Sequence, residues 1–564
     1  MNLPRLLVLL TVVAAVGACS KKAETPPMPK TTAVPIAPAV AADARHSDDA
    51  IAWRRGDVDA AFAEAKATNK PVFLYWGAGW CPPCNQMKAM LFNRREFVER
   101  MQYFVPVYVD GDTPAAQKLG TRYSVSGYPT MVLFAPDGIE ITRLPGEADP
   151  ERYLQVLTLG MSSVRPVRAT LKTALSDGKG LGLDDWRMLA WYSWDTDDQQ
   201  LVPTGQVRAT LQKLADRCPA AFTEPRTRLI LKTAAATGDA SERKPRARFD
   251  AAAARPQIEA VLASPKTARE NFDLMTSAMP EMVRAVTAAR TPERERIVAN
   301  ADRALALLAS DASLSNTDRL GATTARVQLA TIDAPASEDG KASPVILPDT
   351  LRDGVIAEVA RADRESRDPF ERQTVVNSAA YLLTTAGMLD RSDALLEAEL
   401  SRSHSPYYFM LDLAANAKKR GDKRAAIDWY TKAYDGAKGP ATRLQWGSTY
   451  VRALIELSPD DVERIAKVAE QVIGEVAPAP ESFDGRNRKS LSRMADQVAL
   501  WNARGAHAAE SGRIAGASRR LCEQVPAQTS EHALCGQLLK VRDASSKSKP
   551  STAAIGGSRQ AGVI

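Results

Sequence analysis

The chain of 564 residues has little of the histidine and cysteine that metal sites require. It contains 4 His and 6 Cys. Cys81 and Cys84 form a CxxC pair, and no second pair with that spacing exists. A zinc site built on CxxC needs two further ligands close in space, and no histidine lies within residues 49–162. The sequence therefore argues against structural zinc, and we predict no metal and no cofactor.

The chain also lacks a membrane-spanning run and a strong excess of one charge. Its N-terminal apolar stretch, Leu6–Val16, is far shorter than the roughly 20 residues that a spanning helix needs. Lys and Arg number 74 against 67 Asp and Glu, and the two signs alternate along predicted helices. We find no basic patch with interleaved aromatic residues and no Walker, GxGxxG or HExxH motif. Nucleic acid is therefore not a predicted partner.

The most informative sequence that is present is the motif WCPPC at Trp80–Cys84. It follows an apolar run, Val72–Trp76, and precedes a helical pattern of apolar residues that begins at Met87. A helix N-terminus stabilises a thiolate on the first cysteine and lowers its pKa. The second cysteine, one turn along, can attack the mixed disulfide of the first. The spacing predicts a site that exchanges disulfides.

The same stretch resembles a thioredoxin domain. The helix predicted at Val58–Thr68 is similar to the variant in periplasmic thioredoxin-like proteins and in the soluble domain of thiol–disulfide interchange proteins. Val125–Thr130 matches the cis-proline loop of the family, and Met131–Ala135 with Ile139–Leu144 matches its final hairpin. The resemblance covers residues 51–160 and implies an α/β thioredoxin fold there.

The resemblance also implies a role for each part of the site. Cys81 is the expected nucleophile and Cys84 the resolving thiol, and the two form the redox disulfide. Pro129 in cis presents the backbone of Tyr128 to an extended substrate strand. Trp80 is expected to form a partly exposed apolar wall beside the thiols. Trp80, Tyr128 and Pro129 are thus the predicted substrate-binding residues.

The chain departs from the family pattern at two positions. The buried acid that usually stands six residues before the first cysteine is Tyr75 here, and the lysine that often accompanies it is Pro106. The Pro82–Pro83 insert also leaves no backbone N–H between the cysteines. These differences predict that disulfide exchange is slower or has a different redox poise. The alternative is a domain that has kept the fold but lost its activity.

The N-terminus resembles that of a bacterial lipoprotein. Residues 1–18 are typical of a secretory signal peptide, and the residues up to Cys19 match a lipobox, which implies a lipid on Cys19. Ser20 after that cysteine implies the outer membrane by the enterobacterial rule. Residues 19–48 are rich in Pro and Ala and predict a flexible tether. The predicted location is the periplasm; an ordinary signal peptide cut nearby is the alternative.

Three further cysteines remain. Cys522 and Cys535 are close enough in sequence to form a structural disulfide in an oxidising compartment, and two buried thiols are the alternative. Cys218 has no obvious partner. A buried inert residue is the default expectation for it, with a reactive surface thiol as the alternative.

The large remainder of the chain predicts helices. Residues 165–340 show helical periodicity without a reliable repeat length, and residues 350–540 resemble tetratricopeptide-like repeats. The clearest unit is Tyr407–Pro440, where Gly421 serves the turn between two helices. Residues 544–564 are predicted to be disordered. The expected fold is thus an α/β thioredoxin fold followed by a large all-α helical-repeat solenoid.

Two functional hypotheses follow from these features. The first is a lipid-anchored thiol–disulfide oxidoreductase of the cell envelope, which preferentially reduces periplasmic protein disulfides and takes electrons from a membrane donor protein. Its repeats recruit a peptide or protein partner. The second is a non-enzymatic scaffold of the outer membrane, in which the repeats bind a partner and the thioredoxin fold is an accessory.

Overall fold

The structure is a computed structural model that describes residues 50–125, 127–144, 146, 150–162, 165–194, 197, 201–238, 249–334 and 345–538. The predicted signal peptide, the predicted lipidation site Cys19, the predicted tether and the predicted tail lie outside the described residues. Within these ranges, each helix is too short or too polar to cross a lipid bilayer.

Residues 50–162 form a domain of mixed strands and helices, which we call the α/β domain. In chain order its elements are β1 (Arg54–Arg55), α1 (Val58–Thr68), β2 (Val72–Gly77), α2 (Pro82–Met87), α3 (Arg95–Met101), β3 (Val105–Asp110), α4 (Pro114–Arg122), β4 (Thr130–Phe134), β5 (Glu140–Leu144) and α5 (Pro150–Ser162). A π-helical turn, Lys88–Phe92, continues α2.

The five strands form one sheet in the order β1-β3-β2-β4-β5. Strands β1, β3 and β2 are parallel, whereas β4 runs antiparallel to both β2 and β5. All six residues of the central strand β2 are buried, because helices cover both faces of the sheet. This order of parts confirms the α/β thioredoxin fold that the sequence predicted, including the final hairpin.

The side chains of β2 alternate between two hydrophobic cores, as the pleat of a strand requires. Leu74 and Trp76 lie in the same core as Cys81 and Cys84, together with residues of α1 and α4. The alternate residues of the strand, Phe73 and Tyr75, point to the other core, which contains residues of α3 and α5. The cysteines therefore belong to one face of the sheet.

Residues 165–538 form the helical region. Its helices are α6 (Val167–Ser176), α7 (Leu183–Trp191), α8 (Val207–Arg217), α9 (Thr223–Gly238), α10 (Ala251–Ala263), α11 (Pro265–Glu270), α12 (Phe272–Val286), α13 (Pro292–Ser310), α14 (Asn316–Ala330), α15 (Asp349–Glu365), α16 (Pro369–Thr385), α17 (Leu389–Glu399), α18 (Pro406–Arg420), α19 (Lys423–Gly436), α20 (Pro440–Leu457), α21 (Val462–Gly474), α22 (Gly485–Trp501), α23 (Ala508–Gln524) and α24 (Ser530–Leu538). The predicted all-helical character of this part is confirmed.

Consecutive helices in the second half of this region pair as hairpins. In the clearest predicted unit, α18 ends at Gly421, whose φ of 78° is the left-handed conformation that favours glycine at a helix C-terminus. Ala417 before this turn and Ala426 after it are both buried, so the two helices pack closely. The tetratricopeptide-like class of these hairpins stays a prediction.

The helical region shares both cores of the α/β domain. Leu171 of α6 and Trp186 of α7 belong to the core on the α5 side of the sheet. Tyr407 of α18 and Trp446 of α20 belong to the core that contains the two cysteines. The α/β domain is thus packed between early and late helices of the same chain.

The structure joins Cys522 of α23 to Cys535 of α24 by a disulfide, with their Cα atoms 5.6 Å apart. Cys218 is free and buried, as the default expectation had it. Burial raises the pKa of its thiol to about 11, with a smaller opposing effect from Arg226. Because a thiol must ionise to react, Cys218 is expected to be inert in the folded protein.

We predict that the double variant Cys522→Ser/Cys535→Ser destabilises the C-terminal helices. Opening a loop of this size releases about 3 kcal/mol of chain entropy to the unfolded state. Limited proteolysis should cut α24 faster in the double variant than in wild type, and the midpoint of urea unfolding should fall. Equal proteolysis and equal midpoints would show that the disulfide contributes nothing to stability.

Candidate active site

The two cysteines of the WCPPC motif lie at the start of α2. Cys81 is the N-cap residue and forms a disulfide with Cys84, with the Cα atoms 5.2 Å apart. The backbone N–H of Cys84 donates to the Sγ of Cys81 over 3.3 Å. Pro82 and Pro83 have no N–H, so they cannot donate to this sulfur. Within the motif, the N–H of Cys84 is the donor that does. Negative charge on a Cys81 thiolate would be stabilised at this position.

The cis-proline loop lies beside this pair. The peptide bond between Tyr128 and Pro129 is cis, as predicted. The rings of Tyr128 and Trp80 are 6.1 Å apart, and both residues belong to the same core as Cys81 and Cys84. The structure therefore brings together the residues that the sequence singled out for exchange.

The predicted exposure of Trp80 is wrong. Its side chain is only 8% exposed, because aromatic residues of the helical region cover it. The ring of Tyr408 stacks on Trp80 at 5.9 Å, and the ring of Trp446 meets it edge-on at 5.0 Å. Such contacts are typical of a packed interface, so Trp80 is not a free wall for substrate in this conformation.

A buried arginine completes this cover. The guanidinium of Arg486, in the first turn of α22, lies 4.9 Å from the ring centre of Tyr128 and 5.7 Å from that of Trp80. Both distances are within the range of a cation–π interaction. In this conformation Cys81 is 2% exposed and Cys84 is 0% exposed. Neither sulfur is accessible to a protein substrate in this conformation.

The start of α20 is held by Asp112 of the α/β domain. The Oδ1 atom of Asp112 accepts hydrogen bonds from the N–H and the hydroxyl of Thr442, both 2.6 Å long. Gly439, just before α20, has a φ of 87°, and a Cβ atom there would overlap the Asp112 carboxylate. This close approach requires glycine.

The start of α22 is held by α4 in the same way. The Oε1 atom of Gln117 accepts hydrogen bonds from the N–H groups of Arg486 and Asn487, at 3.0 and 3.2 Å. The hydroxyl of Thr121 accepts from the N–H of Gly485 at 3.1 Å. First-turn N–H groups have no acceptor within their own helix, so these side chains satisfy donors that would otherwise be open.

Two further helices contact α2 directly. In α16, the hydroxyl of Thr374 donates to the carbonyl oxygen of Pro82 over 2.6 Å. At the start of α14, the side chain of Gln86 donates to Ser315 and Asp318 over 3.3 and 3.2 Å. The N-terminal parts of α14, α16, α18, α20 and α22, every second helix, thus meet the α/β domain. We call these N-terminal parts the helix-end surface.

Sequence reasoning missed the helix-end surface. Proline at the first positions of α16, α18 and α20 marks where these helices begin. Nothing local, however, says what the helix starts contact, because the partners are hundreds of residues away. Thr374 and Pro82, for example, are separated by 292 positions.

The structure also locates the two departures from the family pattern. The ring of Tyr75 packs against Phe92 at 4.8 Å and Tyr108 at 5.4 Å, in the core opposite the cysteines. Pro106 lies in β3, opposite Phe73 in the register with β2. Neither residue supplies a carboxylate or an amine near Cys84. Across the described ranges, His, Cys, Asp and Glu side chains nowhere form a group suited to hold a metal ion.

Comparison with known proteins places the similarity in the α/β domain. Residues 58–160 match the family model of a thioredoxin-like domain. The chain is 34% identical over 96 residues to the thiol:disulfide interchange protein DsbD 1 of Pseudomonas aeruginosa, covering 16% of each protein. It is 30% identical over 97 residues to a thioredoxin-like protein of Synechocystis sp., covering 17% of this chain and 88% of that protein.

A solved thioredoxin structure from Thermus thermophilus is 29% identical and covers 20% of this chain and 89% of its own, with a TM-score of 0.19. The matched part spans 16% to 18% of the length of the Pseudomonas interchange proteins. The family match ends at residue 160, before the helical region begins. The family match and the sequence similarity to the interchange proteins support a redox role for the α/β domain.

We predict that Asp112 makes folding stability depend on pH. Burial raises the pKa of Asp112 to about 6, against the hydrogen bonds from Thr442 and together with repulsion from Asp110. The folded chain thus binds this proton more tightly than the unfolded chain. The stabilisation that comes from protonated Asp112 is fully present below the pKa that this residue has in the unfolded chain. It is lost as the pH rises from that value through the folded pKa of about 6.

The variant Asp112→Asn carries no proton to lose but keeps an acceptor for Thr442. Between pH 4 and 6.5, its free energy of unfolding, measured in urea, should fall less than that of wild type. Parallel pH profiles for the two proteins would contradict the prediction.

Proposed function

Because this chain belongs to the thioredoxin-like family through residues 58–160, we propose that it is a thiol–disulfide oxidoreductase. The observation that carries the proposal is the Cys81–Cys84 disulfide at the start of α2, next to the cis bond before Pro129. A nucleophilic thiol, a resolving thiol and an extended backbone for a substrate strand are the three parts that disulfide exchange needs.

The reaction runs through a mixed disulfide. In the reduced protein, the Cys81 thiolate attacks one sulfur of a substrate disulfide, and the other substrate sulfur leaves as a thiolate. Cys84 then attacks the Sγ of Cys81, which releases the reduced substrate and forms the Cys81–Cys84 disulfide. Two electrons have passed to the substrate, so a separate thiol donor must reduce the pair again.

We place this activity in the cell envelope. The similarity to thiol:disulfide interchange proteins favours reduction of periplasmic protein disulfides, with electrons from a membrane donor protein. The lipobox before Cys19 supports a lipid anchor, and Ser20 supports the outer membrane. Residues 1–18 would be removed and residues 19–48 would tether the folded part.

Trp80, Tyr128 and Pro129 are our proposed substrate-binding residues, once the cover over them is removed. For the helical region, we propose domains at residues 165–340 and 350–540, with a peptide or protein partner bound by the tetratricopeptide-like hairpins. Stacked helical pairs offer the extended surface that such binding needs.

A non-enzymatic scaffold is the second candidate. The observation that favours it is the burial of both Cys81 and Cys84. In that case the α/β domain serves to hold the helix starts in place, and the outer-membrane lipoprotein binds its partner through the helices alone.

We predict that Cys81→Ser abolishes catalysis. With dithiothreitol as the electron source, wild type should accelerate the reduction of insulin, and Cys81→Ser should leave only the uncatalysed rate, since no thiolate is available for attack. Cys218→Ser is the matched control and should keep the wild-type rate. If Cys81→Ser retains the wild-type rate, the catalytic assignment fails.

Trapping in cells separates the two candidates. In Cys84→Ala the mixed disulfide cannot be resolved, so covalent complexes with cell-envelope proteins should accumulate. A reductant should cleave these complexes into their two proteins. The double variant Cys81→Ser/Cys84→Ala is the control and should form none. Partners that survive reduction and also bind to the double variant would favour the scaffold instead.

A further inference from the structure

The face of the α/β domain that a substrate must reach is occupied by the same chain. This inference rests on the proposed function, since it concerns access to the Cys81–Cys84 pair. A polypeptide disulfide has to approach the Sγ of Cys81 and lie along the backbone of Tyr128. Trp80, Cys81 and Tyr128 are all buried, and residues of α18, α20 and α22 pack on Trp80 and Tyr128.

Polar contacts accompany the aromatic packing of this cover. Asp112 accepts from Thr442, Gln117 accepts from Arg486, and Thr374 donates to Pro82. Each of these groups can exchange its partner for water when the surfaces separate, so its net contribution to closure is modest. Interfaces between domains of one chain generally resemble those of transient complexes.

The closed state also leaves polar atoms without partners. The indole N–H of Trp80 and the side-chain carbonyl of Asn85 are buried and make no hydrogen bond within the described part of the chain. Both would be solvated if the helix-end surface moved away from α2. Closure therefore carries a desolvation cost that opening relieves.

We propose that the helix-end surface binds the WCPPC face of its own α/β domain and competes there with substrate polypeptides. In the closed conformation the thiols are protected from protein disulfides. Exchange takes place in an open conformation, in which α18, α20 and α22 no longer cover Trp80 and Tyr128. The helical region thereby sets the rate at which the redox pair is reached.

The test measures access to Cys81 in the full chain. The protein is reduced, freed of reductant and treated with iodoacetamide at pH 8, and the label on Cys81 is followed by peptide mass spectrometry. The double variant Asp112→Ala/Tyr408→Ala removes one polar and one aromatic contact of the cover. Since loss of a hydrogen bond to a charged group shifts an equilibrium by about tenfold, labelling should accelerate at least tenfold.

The matched control is Asp250→Ala. Asp250 caps α10 by accepting from the N–H of Ala253, so its loss also removes a carboxylate from a helix start, but on a helix that packs in a different core from the redox pair. Labelling of Cys81 in this control should equal that of wild type. If the double variant does not fold, Thr374→Val removes the hydroxyl that donates to Pro82 with little change in shape, and it should accelerate labelling in the same direction.

Insulin reduction on the same proteins separates the two proposals. Faster labelling together with faster insulin reduction supports both. Faster labelling with no insulin reduction supports the cover and overturns the proposed function. If Cys81 is labelled as fast in folded wild type as in urea-unfolded protein, the proposal that the helix-end surface covers the site is wrong. The same holds if the variants are labelled at the wild-type rate, whatever the insulin assay gives.

Discussion

The contact on which the rest of the structure depends joins the starts of alternate helices to the redox face of the α/β domain. A helix leaves its first N–H groups without an internal acceptor. Asp112, Gln117 and Thr121 supply acceptors to α20 and α22. These three side chains lie on the loop after β3 and on α4. The same two helices, α20 and α22, carry Trp446 and Arg486, which pack on Trp80 and Tyr128.

Because of this contact, the helical region acts on the redox pair itself as well as on partner binding. A binding platform beside an open redox site would recruit partners without affecting the thiols. Here Tyr408, Trp446 and Arg486 come from the helical region and pack directly on Trp80 or Tyr128. The environment of the redox pair is thus set by two parts of the chain together. Weakening the contact exposes the thiols, whereas strengthening it protects them.

Sequence reasoning succeeded where the information is local. The strand–CxxC–helix order and the Gly421 turn follow from short patterns with a known conformation, and the cis bond before Pro129 follows from the family resemblance. It failed for Trp80, because exposure is decided by residues that are more than 300 positions away in the chain. Helix starts could be predicted from proline, but their acceptors in the α/β domain could not. Pairings of such separation leave no trace in local composition or periodicity.

Hydrogen exchange at the helix starts tests the central contact most directly. The N–H groups of Thr442, Arg486 and Asn487 have no acceptor in their own helices and donate to Asp112 and Gln117. In short peptides covering residues 440–443 and 485–488, these amides should exchange about a hundredfold more slowly than in an unstructured chain. Exchange at the unstructured rate would mean that the helix starts do not hold the redox face in solution.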